Sequence, residues 1–474
     1  MVGDTSIMHY VNFLMDHGLA PYRDIVDINL PGSYFMEGWA MHVFGGGDLG
    51  WRFYDFSLLS LMIASLIIIS LPYDWFAGLY AGVIFLLIHG KEGPWNAGQR
   101  EQTMITLIMV SYALLFTALR RQKPLLVLPF GFIIGLAASL KPTAAPLGLI
   151  LLLMVAITLR RKSVKVSAYL AYGLLGLVLA FLINLEFLYK YHAFSDFIAI
   201  SKRLIPYYAS IGNKSPRELL RILLSLPHRL ILLAGVVLTF INRKEKDYEN
   251  WERAALVLGI LFGASSFVIQ RKDFEHHAYS FLVFALLWSA IEISKAWKKK
   301  GWIHAIGLAC FAFGVLVVVP ALVFKVASTS PRNEQPDALE SDLIRLGGPA
   351  LQHQVQCFDM GASCYSVLYR LKLLPYTTFM GDYMFFEPIG SPPLAYYRNM
   401  MWDDLQKNPP KIIIVSNEWL SVGYSFDKLE QWPQLASFLD SAYSLEVTRS
   451  SEVFAYRIYV LKNSRAYSVS GEKT

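Results

Sequence analysis

The chain has 474 residues, of which 55% are apolar, 14% aromatic and only 17% charged, with a mean hydropathy of +0.40. Soluble domains carry about 25% charged residues, so this composition leaves too little polar surface for a water-soluble globule. A formal charge of +7 would suggest nucleic acid only if the cations gathered in one patch, and their positions argue otherwise.

In residues 1–54, Tyr10, Phe13 and Leu14 follow Asp4 at helical spacing. This predicts a short amphipathic helix lying at the membrane surface, stopped at Gly18 and turned by Pro21. Asp4 stands where a carboxylate serves as an N-cap. Residues 55–326 then carry about ten segments with the roughly 20 apolar residues that a bilayer-crossing helix needs. They lie near 55–72, 74–90, 102–119, 124–140, 143–159, 166–189, 219–241, 253–270, 277–294 and 302–326.

The loops after the third, fifth, seventh and ninth segments are basic: Arg120, Arg121 and Lys123; Arg160, Arg161, Lys162 and Lys165; Arg243, Lys244 and Lys246; Lys295, Lys298, Lys299 and Lys300. Short cytoplasmic loops accumulate Lys and Arg, so every second loop is assigned to the cytoplasm. Residues 1–54, the loops near 91–101, 141, 190–218 and 270–276, and everything beyond about 327 are then expected on the outer face. A chain whose first residues lie outside calls for one earlier crossing, so this topology predicts a further transmembrane helix ahead of Met1.

Residues 327–336, polar and Pro-containing, read as a linker. Residues 337–463 read as an external α/β domain, with strands at Lys411 to Val415 and Val453 to Leu461 and helices at Trp402 to Gln406 and Leu429 to Leu439. Residues 464–474 read as a disordered tail. The C-x6-C spacing of Cys357 and Cys364 suits a local bridge in an oxidising compartment and equally two unpaired thiols.

The run Gly3-Asp4, Tyr10, Gly18, Pro21-Tyr22-Arg23-Asp24, Asn29-Leu30-Pro31-Gly32-Ser33-Tyr34 and Phe44-Gly45 resembles the first external loop of the membrane-embedded GT-C glycosyltransferases. Within that fold the run is similar to the protein O-mannosyltransferase and aminoarabinose transferase group. Gly98-Gln99-Arg100-Glu101 resembles the second acidic site of that group, and Gln270-Arg271-Lys272-Asp273-Phe274-Glu275-His276-His277 resembles its Gln-x-Lys-x-Phe/Trp-x-x-His element. Asn408-Pro409-Pro410-Lys411 and Trp432-Pro433 resemble the attached external domain. Thr5 departs from the Asp-Glu pair that many relatives carry at the first site.

The resemblance implies a polytopic α-helical GT-C membrane protein with a C-terminal external α/β domain, set in a bacterial inner or plasma membrane. It also implies an inverting enzyme that moves a sugar from a polyprenyl-phosphate donor to a lipid, glycan or protein acceptor. A carboxylate would take the acceptor proton, with Asp4 as the base and Glu101 and Asp24 as further catalytic acids. Arg100, Lys141, Lys272 and His277, with Tyr22, would bind the donor and meet the charge that develops on its departing phosphate.

Each residue also has a plainer reading. Asp24 and Asp27 can hold their loop, Arg100 and Glu101 can serve a helix start, and Lys141 can snorkel to the interface. Trp51, Trp75 and Trp302 suit an aromatic belt, and Glu186 suits a structural role at a span end. His276 and His277 have no third residue at metal-ligand spacing, which counts against a His-based zinc site; no cofactor follows from the sequence, and a divalent metal has no support there. The sequence holds no P-loop, no dinucleotide fingerprint and no Trp-Trp-Asp run, which disfavours ATP-driven transport and whole-glycan transfer to asparagine. A flippase of lipid-linked sugars would show charges within the spans and inverted repeats. An O-antigen ligase or polymerase is the remaining alternative.

Overall fold

A computed structural model of the chain describes residues 3–161, 165–224, 229–242, 250–328, 334–359, 363–386, 391–420, 423–450 and 455–462. Lys162, the basic loop Arg243, Lys244 and Lys246, half of the expected linker, the first residues of the strand expected from Val453, and the tail lie outside the described residues. Contacts divide the chain into two compact units. One comprises Met1–Ile28, Leu188–Asn213 and Arg332–Thr474, the other Asn29–Phe187 and Lys214–Pro331.

The second unit is helical, and a helix covers each of the ten expected segments. Among the described residues, seven helices are long and apolar enough to cross a bilayer: Asp48–Ser70, Arg100–Arg120, Ala144–Arg161, Ser167–Lys190, Asn250–Gln270, Glu275–Trp297 and Trp302–Ser328. The chain is an integral membrane protein. Trp75–Glu92 ends in a charged Lys-Glu pair, and Pro124–Leu140 and Arg229–Ile241 are shorter. The segment expected at 219–241 carries two helices, Pro216–Leu224 and Arg229–Ile241.

Burial sorts these helices by role. Tyr279–Trp297 is buried along almost all its length, and so forms the centre of the bundle. Ser167–Lys190 and Trp302–Ser328 expose Leu174, Phe181, Leu316 and Phe324, as apolar helices facing lipid tails do. Glycine sets the closest approach: a Cβ on Gly263 would lie 2.3 Å from the Phe281 backbone nitrogen, so only glycine lets Asn250–Gln270 touch the central helix there. At the far end of Arg100–Arg120, Arg120 Nε donates to Glu252 Oε1 at 2.8 Å and its Nη atoms donate to the Ile68 and Ile69 carbonyls. Arg120 therefore closes a helix C-terminus as well as marking a basic loop.

The first unit holds a four-stranded sheet in the order β1-β2-β6-β5, built from β1 (Val355–Phe358), β2 (Ile412–Ser416), β5 (Tyr443–Ser450) and β6 (Ala455–Leu461). Strands β3 (Glu418–Trp419) and β4 (Gly423–Tyr424) form a separate short pair. β1 and β2 are parallel, while β6 runs antiparallel to both β2 and β5. The Ile412 to Val415 run is buried throughout, as an interior strand with a neighbour on each side requires. The helix expected over Leu429 to Leu439 is interrupted at Trp432-Pro433. A 3-10 turn ends at Gln431 and an α-helix begins at Pro433, because proline lacks the N–H to continue a helix but fits its first turn.

The helix expected after Asp4 spans Asp4–Asp16. It does not lie on a lipid surface: its apolar face is covered by Ser363–Arg370 of the same unit. Tyr10 donates to the Leu373 carbonyl at 2.9 Å, and its ring lies 5.9 Å from that of Tyr365. Val26 N donates to the Thr378 carbonyl at 2.7 Å, so the stretch after this helix also joins the unit's backbone pairing.

Cys357 and Cys364 are bridged, with Cα atoms 6.2 Å apart. The bridge ties the end of β1 to the helix that receives Tyr10. A loop of this length is worth about 2–3 kcal/mol in the chain-entropy account. Reduction, or Cys357→Ser with Cys364→Ser, is expected to lower the unfolding midpoint of this unit, checked by denaturant titration of the detergent-purified chain.

Candidate active site

In the membrane unit, three separate stretches converge on Glu101. Glu101 lies in the first turn of Arg100–Arg120, where the helix dipole favours a negative charge, and it is only 2% exposed. Its Oε1 accepts from Lys141 Nζ and lies 3.0 Å from His277 Nε2. Lys141 follows the helix Val127–Leu140, where Pro142 stops a further turn. That helix end is held by Gly32: a Cβ there would sit 2.3 Å from Ser139 Oγ. Lys141 also donates to Gln270 Oε1, and the Gln270 amide donates to the Ser266 carbonyl at 3.1 Å.

The two histidines come from the 3-10 turn Glu275–Ala278. The Phe274 ring stacks on His276 at 5.6 Å and meets His277 edge-on at 5.3 Å. His276 Nδ1 lies 2.7 Å from Asn96 Oδ1, and His276 Nε2 lies 3.8 Å from Glu101 Oε2. Glu101, His276 and His277 can each offer one donor atom within 4.8 Å of the others. Lys272 is buried at 4% exposure, and Arg100 donates to Asn29 Oδ1. Arg271, between Gln270 and Lys272, adopts a left-handed φ of 52°.

A second buried pair adjoins this cluster. His89 Nε2 lies 3.1 Å from Asp55 Oδ1, and His89 Nδ1 lies 3.0 Å from the Tyr279 hydroxyl. Gly98 N donates to Asp55 at 2.8 Å. The pair lines a cleft of about 350 Å³ whose other walls include Trp51, Phe56, Leu59, Leu86 and Val326. Gly98 leads into Glu101 and Tyr279 follows His277 by two residues, so backbone continuity links the cleft to the cluster.

No known family pattern matches the sequence, and no curated protein does either. Among solved structures, ArnT from Cupriavidus metallidurans in the apo state is similar over 97% of this chain and 94% of its own, with a TM-score of 0.61 at 12% identity. The same protein bound to undecaprenyl phosphate is similar over 100% of this chain and 95% of its own, with a TM-score of 0.58 at 11% identity. The oligosaccharyltransferase AglB from Archaeoglobus fulgidus, in complex with an inhibitory peptide and a dolichol-phosphate, has a TM-score of 0.51 at 12% identity, over 97% of this chain and 70% of its own. The fold is GT-C.

Within this GT-C chain, four residues singled out from the sequence meet directly or through one neighbour: Glu101, Lys141 and His277, with Gln270 beside them. Asp4, Tyr22 and Asp24 belong to the other unit. Asp4 occupies the first turn of Asp4–Asp16. Tyr22 is 3% exposed, has a left-handed φ of 69° and packs its ring 5.1 Å from Phe197. Asp24 accepts from Ala20 N at 2.8 Å and from the Arg23 guanidinium. Arg23 holds its carboxyl below the ordinary range, and this closes the loop it sits in. His276, Asn96, Asp55 and His89 were not assigned roles from sequence. Their one legible signal is that Asp55 and His89 are polar positions inside otherwise apolar helices.

In the first unit, burial foremost, with the charges of Asp359, Asp382 and Asp4, pushes the Glu418 carboxyl up to about 8, against the pull of Lys428. Lys428, fully buried, donates to Asp382 at 2.5 Å. The folded chain keeps a proton on Glu418 that the unfolded chain releases above its ordinary 4.5, so this group's contribution to stability falls as pH rises from about 4.5 to about 8. Glu418→Gln is expected to flatten that decline, as read by thermal unfolding across the same pH range.

Removing one partner of a buried ion pair costs about 3–5 kcal/mol, because the other charge stays buried. Lys141→Met is therefore expected to lower the unfolding temperature of the detergent-solubilised chain markedly. Lys141→Met combined with Glu101→Gln should recover part of the loss.

Proposed function

We propose that the chain is an inverting glycosyltransferase that moves a sugar from a polyprenyl-phosphate donor to a lipid, glycan or protein acceptor at the outer membrane face. The observation that carries this reading is the Glu101–Lys141–His277 cluster, built at the start of a membrane-length helix beside an apolar cleft. A lipid-phosphate substrate presents the matching pair of features: an apolar chain that stays in the membrane and an anionic head at its edge. The Cys357–Cys364 bridge supports an oxidising compartment for the other unit. The basic loops support the same orientation.

In this reaction the anomeric C–O bond to the donor phosphate breaks, and its electron pair leaves with the phosphate. The acceptor oxygen bonds to the opposite face of the sugar and gives its proton to a carboxylate. Lys141, with Lys272, Arg100 and His277, offers positive or donor groups for the charge gathering on the phosphate, in surroundings where water screens little. Glu101 holds Lys141 and His277 in place and limits their net charge before substrate arrives. The resemblance assigns the base to Asp4, and Asp24 and Tyr22 support the loop that follows it.

The test is transfer of label from a polyprenyl-phosphate sugar to added acceptor by the purified chain in nanodiscs. Asp4→Asn, with expression and folding retained, is expected to lower the rate by about 10²–10⁴-fold. Lys141→Met is expected to lower it by about 10²–10³-fold. Unchanged transfer in Asp4→Asn removes Asp4 as the base. Movement of label across vesicles without a product would mark a flippase.

A further inference from the structure

Two ionisable residues inside apolar helices have no part in the transfer described above. Asp55 lies two turns into Asp48–Ser70 and His89 in the last turn of Trp75–Glu92, at 8% and 3% exposure. Such groups are costly within a membrane-length helix, and by default they mark a function.

Their partners show what that function is. Trp51 and Asp55 stand one turn apart on the same helix face. Trp51 Nε1 donates to the Ala97 carbonyl at 3.0 Å, and Asp55 Oδ1 accepts from Gly98 N at 2.8 Å. That carbonyl and that N–H belong to a single peptide group, so one helix grips both of its edges. Gly98 takes a φ of 65°, a left-handed turn that favours glycine. Three residues later Glu101 stands in the first turn of Arg100–Arg120.

The same path of bonds runs on to the histidine turn. His89 Nε2 lies 3.1 Å from Asp55 Oδ1, and His89 Nδ1 lies 3.0 Å from the Tyr279 hydroxyl. A carboxylate only accepts, so Nε2 carries the imidazole proton, Nδ1 keeps its lone pair and the Tyr279 hydroxyl donates to it. Tyr279 directly follows the turn Glu275–Ala278, and Phe85 meets its ring edge-on at 5.2 Å. The Ala97–Gly98 peptide, Asp55, His89 and Tyr279 therefore join the stretch that carries Glu101 to the turn that carries His277. This path closes a loop with the direct 3.0 Å contact between Glu101 and His277.

We infer that Asp55, His89 and Tyr279 are positioning residues for the transfer reaction, setting the spacing of Glu101 and His277. The inference rests on the reading of the Glu101–Lys141–His277 cluster as the group that meets the donor phosphate. The three side chains act through the backbone on either side of that cluster, and no step of the transfer is assigned to them. Precision at this place matters, because a misplacement of about 1 Å in a site can lower a rate by about 10²-fold. The cleft of about 350 Å³ that Asp55 and His89 line gives a small molecule access to the path.

The experiment uses the full chain in nanodiscs, with transfer rates normalised to folded protein and hydrogen exchange of the same samples read by mass spectrometry. Tyr279→Phe removes one hydroxyl and keeps the ring, so it remains readable if larger changes misfold. It is expected to lower kcat by about 3–10-fold, the worth of one neutral hydrogen bond, with KM for the donor unchanged. It is also expected to quicken exchange at residues 97–101, far from it in sequence. His89→Ala is expected to lower kcat by about 10²-fold and to quicken exchange both there and at 275–279. Added imidazole, entering through the cleft, is expected to restore part of the His89→Ala rate and none of the Tyr279→Phe rate. Full-rate transfer by Tyr279→Phe and His89→Ala overturns the positioning role, and so does a rate loss with exchange at 97–101 unchanged. Coupled exchange in a chain whose wild type transfers no sugar supports the bonded path and overturns the glycosyltransferase reading. Wild-type transfer that both variants leave untouched supports that reading and overturns this inference alone.

Discussion

A carboxylate buried at the start of a membrane-length helix constrains the whole membrane unit. Glu101 cannot keep its charge there without partners, because taking an ion out of water costs several kcal/mol after relaxation. Lys141 and His277 supply those partners from stretches far along the chain. Each reaches Glu101 because a helix stops where it does. Pro142 ends the run that presents Lys141, and the 3-10 turn Glu275–Ala278 turns two histidines inward before the central helix begins. The tight passage of Gly32 over Ser139 fixes the first of these ends.

The same helix is tied at its other end by Arg120, Glu252 and the carbonyls of Ile68 and Ile69. Glu101 and Arg120 are 19 residues apart on one helix, so about 28 Å separates the two polar knots, close to the thickness of a hydrocarbon core. Between them lie Met104, Ile105, Ile108, Met109, Leu115 and Phe116, all buried. Polar groups are thus concentrated where the bundle can satisfy them, and the middle is left to apolar packing. This arrangement keeps a buried charged cluster fixed at the helix start without placing charge at mid-depth.

The first unit meets a similar demand with different means. Lys428 is buried because Asp382 and the Glu418 carbonyl accept from it at 2.5 and 2.8 Å. The neighbouring Glu418 resolves the remaining repulsion by holding a proton. Helix Asp4–Asp16 carries an apolar stripe that reads equally well as a membrane-surface helix or as a packed one. Tyr365 and Tyr369 decide between them by supplying a protein surface for Tyr10 and Phe13. Periodicity reports which face is apolar and is silent on what covers it.

Much was legible from the sequence alone. Apolar length located the helices, because a bilayer demands a fixed run of residues whatever the fold, and the alternating basic loops suggested an orientation. The residues of the central cluster were also legible singly: Glu101 and Lys141 as charges at span ends, His277 as part of a motif. Only the tertiary structure decided that these residues meet, that His276 turns toward Glu101 while Asn96 holds its other nitrogen, and that Cys357 and Cys364 are bridged. The physical reason is distance along the chain. Patterns of period 3.6 or 2 are local, whereas Glu101 and His277 are joined across 176 residues by how helices end and pack, which no local pattern records.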